Sequence, residues 1–396
     1  MFVLLGVLFL LGLATDVLGR RTALPRVTLL LLLGILLGPS ALGWIEVTEN
    51  GWPHFVTNLA LVMVGFLLGG SLSLRALREH GRAILYLSVG KALGAFAIVF
   101  SGLLVVGAGV ETALLLGAVA TSTAPAVTAD VVHADRAEGA FTRRLLGVVA
   151  VDDAWGLIVF GVALAVVEAM GGAGPTGALA FAAWDLGGAI ALGLGLGIPA
   201  AFLTGRVASG EPTQAEALGI VFLCAGLALQ LEVSFLLAAM VMGATVANLA
   251  QHHRRPFHAI EGIEWPFMIL FFALAGASLE LGALASTLGL VVAYVGLRAA
   301  GTFLGAVAGS VAAGDAALRG KAAHWMGLSL MPQAGVALGM ALVATQRLPE
   351  VGPTLLPVVV ASTALFELVG PILTRKALAS MGEAHPAQDD APGTGS

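Results

Sequence analysis

The sequence predicts an all-α polytopic membrane protein with about thirteen transmembrane helices. Of its 396 residues, 58% are hydrophobic and only 11% are charged, whereas soluble domains carry about 25% charged residues. The mean hydropathy is +0.97. The apolar stretches are continuous, and this favours helices because the strands of a membrane barrel would alternate apolar and polar residues. The single cysteine, Cys224, excludes an internal disulfide framework.

About thirteen apolar stretches approach the roughly 20 residues that a spanning helix needs. We number them as segments 1 to 13, and they lie near residues 2–19, 27–45, 54–74, 83–106, 111–133, 142–168, 183–207, 214–231, 233–249, 262–280, 283–313, 320–346 and 353–375. No Lys or Arg precedes the first stretch and no small-residue cleavage site follows it. It therefore predicts a spanning helix rather than a signal peptide.

Basic residues follow the odd-numbered segments, from Arg20 after the first to Lys376 after the last. The loops on the opposite side hold one base, Arg347, among acids that include Glu168 and Asp185. Cytoplasmic loops carry the excess of Lys and Arg, so this pattern predicts an external N-terminus and a cytoplasmic C-terminus. The polar, Pro- and Gly-containing tail at 383–396 is predicted to be disordered.

Two adjacent aspartates, Asp152 and Asp153, stand within segment 6 between apolar residues. A charge at the bilayer centre costs about 2.5–3.5 kcal/mol on insertion scales. Such a pair must therefore have partners, bind a cation or hold a proton, and this indicates a protein that moves or senses cations. Neighbouring residues point about 100° apart on a helix, so the two carboxylates are expected to face different surroundings.

Two other segments contain a proline among polar residues. Segment 5 has Thr-Ser-Thr-Ala-Pro at 121–125, and segment 12 has Met-Pro-Gln-Ala-Gly-Val at 331–336. Pro125 and Pro332 each remove a backbone donor and clash with the preceding turn, so both helices are expected to break. Segments seven apart run in opposite directions, and this indicates inverted repeats with an ion site where the two breaks meet.

The same offset of seven relates other polar residues in the spans. Segments 4 and 11 carry Lys91 and Arg298, respectively. Segment 6 carries the aspartate pair, and segment 13, seven segments later, carries Glu367. In their order and spacing, these features resemble the bacterial sodium/proton antiporters of the monovalent cation:proton antiporter superfamily, the sodium/hydrogen exchanger family. The resemblance extends over nearly the whole chain.

The resemblance implies a homodimer built from two kinds of helix. Residues 1–82 and 176–281 are expected to form the dimerisation and interface helices. Residues 83–168 and 283–379 are expected to form the two halves of an ion-translocating core, which moves as a rigid body across the membrane. In this fold two broken helices cross.

The resemblance also implies roles for the site residues. Asp153 matches the carboxylate that binds the monovalent cation and the proton, and Asp152 matches the one that pairs with the base of segment 11, here Arg298. Thr121 and Ser122 match hydroxyls near the break. Desolvation disfavours the charged form of a buried carboxyl group, and one site that binds either ion but never both is sufficient for obligatory exchange.

Arg298 departs from the two-aspartate members of the family, which carry lysine there. Arginine keeps its proton where a buried lysine can release it. We therefore expect Arg298 to be a fixed counter-charge and the exchange to be electroneutral. Gly335 also stands where some relatives carry glutamate, so compensation of the break must differ, and Gln333 is expected to supply part of it.

The remaining candidates have simpler interpretations. Glu367 could shape the ion path or cap a backbone end, and Lys91 can snorkel to the cytoplasmic interface. Gly301, Gly305 and Gly309 form a small-residue stripe on segment 11 that indicates helix packing.

The leading functional prediction is a secondary antiporter that exchanges Na⁺, or alternatively Li⁺ or K⁺, for H⁺ across a lipid bilayer. Potassium/proton exchange or potassium efflux is the alternative, because carboxylate and hydroxyl ligands suit both ions. A channel is disfavoured because no Thr-Val-Gly-Tyr-Gly-like filter occurs. An intramembrane aspartyl protease is also disfavoured, because such an enzyme needs its two aspartates on separate helices and Asp152 and Asp153 are adjacent. We expect no enzyme activity, no cofactor, no nucleic-acid partner and a location in the bacterial inner membrane.

Overall fold

The computed structural model describes residues 2–21, 25–45, 52–71, 74–170, 174–203, 213–250, 254–279 and 281–385. Regular structure in these ranges is helical throughout. The fifteen α-helices are α1 (Phe2–Arg21), α2 (Arg26–Leu37), α3 (Trp52–Ser71), α4 (Leu74–Val105), α5 (Val110–Val119), α6 (Pro125–Ala134), α7 (Ala140–Glu168), α8 (Gly174–Leu203), α9 (Thr213–Gln230), α10 (Phe235–Leu249), α11 (Arg254–Ala277), α12 (Leu281–Ala313), α13 (Lys321–Ser329), α14 (Gly335–Arg347) and α15 (Gly352–Met381). The all-α prediction is confirmed.

Five helical stretches in the described ranges are long and apolar enough to cross a membrane by themselves. They are Gly81–Val105, Ala140–Glu168, Ala183–Leu203, Ala285–Ala313 and Gly352–Met381. The other apolar helices are shorter. The number of thirteen spans therefore stays a prediction.

Segments 5 and 12 are each divided into two short helices, α5 and α6 in the first and α13 and α14 in the second. Pro125 occupies the first turn of α6, where a missing N–H removes no intrahelical hydrogen bond. The extended residues between the half-helices meet, since the N–H of Ala124 donates to the carbonyl of Pro332 at 3.0 Å. Both predicted breaks are present and they contact each other.

Glycines let α4 and α12 cross at very short range. A methyl group on Gly305 would lie 2.5 Å from the carbonyl oxygen of Gly90, and one on Gly94 would lie 2.5 Å from Cα of Gly305. Gly301 and Gly309 face α4 in the same way. The stripe serves helix packing, as predicted, and the crossing holds the interior bases of α4 and α12 near each other.

The helices contact one another in two groups. Helices α4–α7 and α12–α15 pack mainly among themselves and form what we call the core group; α1–α3 and α8–α11 form the scaffold group. The two groups touch where α7 meets α3, α8 and α10, where α15 meets α2 and where α14 meets α11. The dimerisation and translocation roles of the groups stay predictions.

The chain after α15 differs from the predicted tail. Glu383 and His385 make backbone hydrogen bonds with Glu138 and Asp135, respectively. The predicted disorder was therefore placed too early for residues 383–385, because these residues are tied to the loop that precedes α7. Residues 386–396 lie outside the described residues.

Candidate functional site

The aspartate pair lies in the middle of α7, inside the core group. Asp152 is 0% exposed and Asp153 is 1% exposed. Both carboxyl groups are thus removed from solvent, and each needs a partner or a bound ion to offset the loss of hydration. Their surroundings differ completely.

Asp152 is paired with Lys91. The Lys91 ammonium donates to Oδ2 of Asp152 at 2.5 Å, to the hydroxyl of Thr123 at 2.6 Å and to the carbonyl of Thr121 at 2.5 Å. Thr123 donates in turn to Asp152 Oδ2. The three ammonium protons have three acceptors, and Lys91 is 0% exposed. The expectation that Lys91 snorkels to the interface is therefore wrong, since its charge is satisfied in the interior.

Arg298 binds backbone carbonyls rather than Asp152. Its Nη1 donates to Met331 O and its Nη2 to Ser122 O, both at 2.9 Å. The guanidinium carbon lies 4.3 Å from the ring centroid of Phe366, a cation–π distance. The predicted ion pair of Arg298 with Asp152 is thus wrong.

The physical reason lies in the shapes of the donors and of the helix ends. The two carbonyls that Arg298 binds follow α5 and α13, and helix C-terminal ends attract cations. A planar guanidinium suits two separate acceptors, whereas an ammonium is a compact point charge that suits a small polar cluster. Arg298 therefore joins the two breaks, and Lys91 neutralises the carboxylate.

Gln333 also compensates a break, as expected, but it acts across the site. Its Nε2 lies 3.4 Å from Val119 O at the end of α5 and 3.4 Å from the hydroxyl of Tyr294. The side chain from the break of segment 12 thus caps the first half of segment 5. Crossing of the two breaks makes this contact possible.

Asp153 has a different environment from its neighbour. Neither of its carboxylate oxygens has a hydrogen-bond partner among the described residues. An ionised carboxylate that is buried and unpaired costs several kcal/mol. Asp153 must therefore hold a proton or bind a cation.

Thr121 and Ser122 lie beside α7 at Gly156, three residues after Asp153. A methyl group on Gly156, one turn further along α7, would be 3.3 Å from Cβ of Ser122 and 3.6 Å from Oγ1 of Thr121. Both hydroxyls donate their protons to the carbonyls of Ala118 and Val119, at 2.7 and 3.1 Å. Their oxygen lone pairs thus remain able to accept, which is the property that a cation ligand needs.

Glu367 lies at the boundary between the two helix groups. It is 2% exposed, and its Oε2 accepts a hydrogen bond from the hydroxyl of Thr28 on α2 at 3.1 Å. The described hydrogen bonds do not join it to the aspartate pair. Glu367 thus contacts the scaffold group rather than a helix break.

Sequence reasoning missed two polar residues of the site. Thr123 bridges Lys91 and Asp152, and its place in the run of hydroxyls before Pro125 could have identified it. Tyr294 contacts Gln333, and it stands one turn before Arg298 on α12.

Comparison with known proteins identifies the family of this chain. The model of the sodium/hydrogen exchanger transmembrane family matches residues 5–377. The ammonium/H⁺ antiporter subunit AmhT of Alkalihalophilus pseudofirmus is 24% identical over 272 residues, covering 67% of this chain and 68% of that protein.

Solved structures share the fold. The sodium proton antiporter MjNhaP1 of Methanocaldococcus jannaschii, determined at pH 8, superposes with a TM-score of 0.72 at 16% identity, covering 97% of this chain and 98% of that one. An electron-microscopy map of the same antiporter gives a TM-score of 0.71 at 18% identity, with 96% and 98% coverage. The family match over residues 5–377 shows that this protein belongs to the sodium/hydrogen exchanger family of membrane cation:proton antiporters.

Proposed function

We propose that Asp153 carries the exchanged ions, holding a monovalent cation in one half of the cycle and a proton in the other. The observation that carries this proposal is the burial of Asp153 with both carboxylate oxygens unpaired among the described residues. Lys91 already neutralises Asp152. Asp153 is thus the carboxylate that has no fixed partner in the described part of the chain and is available to a transported ion.

The charges around the site favour exchange of one proton for one cation. Lys91 and Arg298 contribute two positive charges, and Asp152 together with an ionised Asp153 contributes two negative charges. All three protons of the Lys91 ammonium are donated in hydrogen bonds. A neutral amine has only two protons, so one of the three acceptors would lack a donor. Either a proton or a monovalent cation on Asp153 therefore gives the site the same net charge, and transport is electroneutral.

Movement of the core group against the scaffold group would expose Asp153 to each side in turn. Arg298 ties the ends of both breaks together within the core group. The breaks and the aspartate pair can therefore move as one unit. We propose that the scaffold group forms a homodimer in the bacterial inner membrane, with the N-terminus outside and the C-terminus cytoplasmic.

Na⁺ is the cation that we propose first, with Li⁺ and K⁺ as alternatives. Carboxylate and hydroxyl oxygens suit hard monovalent ions, and MjNhaP1 is described as a sodium proton antiporter. Ammonium is a second candidate because AmhT is described as a subunit of an ammonium/H⁺ antiporter. Ammonium would donate hydrogen bonds to the same oxygens that Na⁺ would coordinate.

Exchange can be measured in proteoliposomes that contain a pH dye. A proton gradient is imposed, and Na⁺, Li⁺, K⁺, ammonium or choline is added; protein-free vesicles correct for diffusion of ammonia. We expect at least one metal ion or ammonium, but not choline, to dissipate the gradient. Asp153→Asn should abolish the response, whereas Glu350→Gln, which changes an exposed carboxylate between α14 and α15, should retain it. Full exchange by Asp153→Asn would refute the assignment.

A further inference from the structure

Arg347, the last residue of α14, lies within ion-pair distance of an acidic residue in each helix group. Its Nη2 lies 3.4 Å from Oδ1 of Asp185 on α8, in the scaffold group. Its Nη1 lies 3.8 Å from Oε1 of Glu168 at the end of α7, in the core group. The guanidinium also stands 5.4 Å from the ring centroid of Phe181 on α8. One core side chain thus holds a charged partner in each group.

A cavity of about 370 Å³ lies between the groups at this point. It is lined by α7 and α14 on one side and by α8, the end of α9 and the start of α10 on the other, and it extends from Arg347 to Leu157. Leu157 stands one helical turn from Asp153, which is 1% exposed. The cavity therefore approaches the ion site without reaching it, and the Arg347–Asp185 pair lies across its distal end.

The two acidic partners of Arg347 are fixed to different groups. Asp185 is 2% exposed and belongs to α8, close to the backbone of Ser234, the N-cap of α10. It is thereby held within the scaffold group. Glu168 belongs to α7 and travels with Arg347. A displacement of the core group would separate Arg347 from Asp185 but not from Glu168.

We propose that Arg347 is a positioning residue for transport and that its ion pair with Asp185 is a latch between the core and scaffold groups. The latch holds the two groups in the arrangement seen here, and Glu168 keeps Arg347 neutralised after the latch opens. This inference rests on the proposed movement of the core group. The Arg347 side chain is 27% exposed, so it can change partners at the surface without entering the apolar core.

Labelling of a cysteine in the cavity tests the latch without an ion gradient. The buried Cys224 is first replaced by alanine, and Val343→Cys then places a thiol on the α14 wall of the cavity, one turn from Arg347. Proteoliposomes are treated with a membrane-impermeant thiol reagent. We expect Arg347→Gln and Asp185→Asn each to raise the labelling rate about fivefold or more, the lower end of usual conformational coupling.

Two variants separate a latch from a general loosening of the fold. Arg347→Lys keeps the positive charge, and its labelling rate should stay near that of the parent. Arg375→Gln removes an arginine from an ion pair with Asp135 inside the core group, and it should leave the rate unchanged. Asp185→Asn is nearly isosteric, so it remains informative if Arg347→Gln fails to fold.

The outcomes distinguish failure of the latch from failure of the proposed function. Faster labelling in Arg347→Gln and Asp185→Asn, but not in Arg347→Lys and Arg375→Gln, supports the latch. Parental rates in both test variants, or an equal rise in Arg375→Gln, overturn it. Labelling requires no transport. If the parent protein exchanges ions but neither Arg347→Gln nor Asp185→Asn raises the labelling rate, the latch alone is refuted. If the parent protein shows no ion exchange, the proposed function is refuted.

Discussion

Two adjacent aspartates in α7 differ because only one of them has a fixed partner. Lys91 and Thr123 contact Asp152, and no hydrogen-bond donor among the described residues reaches Asp153. A helix turns by about 100° per residue, so neighbours can face a basic cluster and an ion site, respectively. We propose that Asp152 holds the structure together and that Asp153 exchanges ions.

Removal of the Lys91 ammonium should destabilise the fold as well as stop transport. Lys91→Met leaves Asp152 buried without a counter-charge, and breaking a buried pair in this way costs about 3–5 kcal/mol. Thermal unfolding in detergent should show a clearly lower Tm for Lys91→Met.

A double-mutant cycle provides the control for this interpretation. Lys91→Met combined with Asp152→Asn should regain much of the lost stability, because no unpaired charge remains. If the double variant unfolds at the same temperature as Lys91→Met, the ion pair is not what Lys91 contributes.

The residue assignments could be predicted in part. An aspartate pair within an apolar segment is visible in the sequence, as are the hydroxyls and prolines that mark the breaks. The partner of Asp152 could not be predicted, because both Lys91 and Arg298 lie within spans and their spacing along separate helices does not show which one reaches the carboxylate. Only the crossing of α4 and α12 and the position of the free carbonyls decide this.

At the scale of elements, the site depends on helices that end inside the protein. The carbonyls after α5 and α13 are satisfied by Arg298 and Gln333, because buried helix ends require partners. The breaks were predictable from proline and polar neighbours. Capping of one break by the other was not, since it depends on their contact in space.

A methyl group at the α4–α12 crossing should separate the two basic residues of the site. Gly305→Ala would place Cβ 2.5 Å from the carbonyl of Gly90, so the helices must move apart. We expect a lower Tm and loss of exchange in vesicles. Gly296→Ala on the same helix has nothing within 4 Å of the added group and should gain stability by up to about 1 kcal/mol. Equal effects of both changes would show that close packing at Gly305 is not required.

Glu383 gives the N-terminus of α7 a pH-dependent cap. Its carboxylate accepts hydrogen bonds from the N–H groups of Phe141 and Thr142 at 2.9 and 2.8 Å and from the Thr142 hydroxyl at 2.7 Å. Partial burial would raise the pKa of Glu383, but these hydrogen bonds outweigh it and lower the pKa below its ordinary value of 4.5. The negative charge also suits the positive end of the helix.

The lowered pKa fixes the sign of the pH effect. The cap contributes stability in full above about pH 4.5, and the contribution is lost as the pH falls through the lower pKa of the folded state. Glu383→Gln should therefore lower Tm near neutral pH, and its difference from the parent should shrink on acidification. Glu350→Gln, in an exposed loop, serves as the matched control. A difference for Glu383→Gln that is constant from pH 7 to about pH 3.5 would contradict the cap.

At the scale of the whole molecule, the proposed movement of the site takes place between the two helix groups. Contacts between them are limited to a few helices, chiefly α7 with α8 and α10. The seven-segment offset of the polar residues predicted inverted repeats. The latch could not be foreseen, because Arg347 appeared only as an isolated base among acids on one side of the membrane.

The proposed charge balance predicts that transport carries no net charge. With Lys91 and Arg298 permanently charged, each exchange moves one positive charge in each direction. Solid-supported membranes loaded with the protein should therefore show no steady current when Na⁺ is added, even while the pH dye reports exchange. A current that tracks exchange and disappears in Asp153→Asn would show that a second proton moves, and Lys91 would be its source.

The most direct test is the number of protons released when purified protein binds its cation. In weakly buffered detergent solution, the pH change on adding Na⁺ is recorded together with binding measured by calorimetry. If Asp153 holds either ion but never both, about one proton should leave per cation bound below the pH at which Asp153 ionises, and Asp153→Asn should bind no cation and release none. Cation binding without proton release, or undiminished release in Asp153→Asn, would contradict the account.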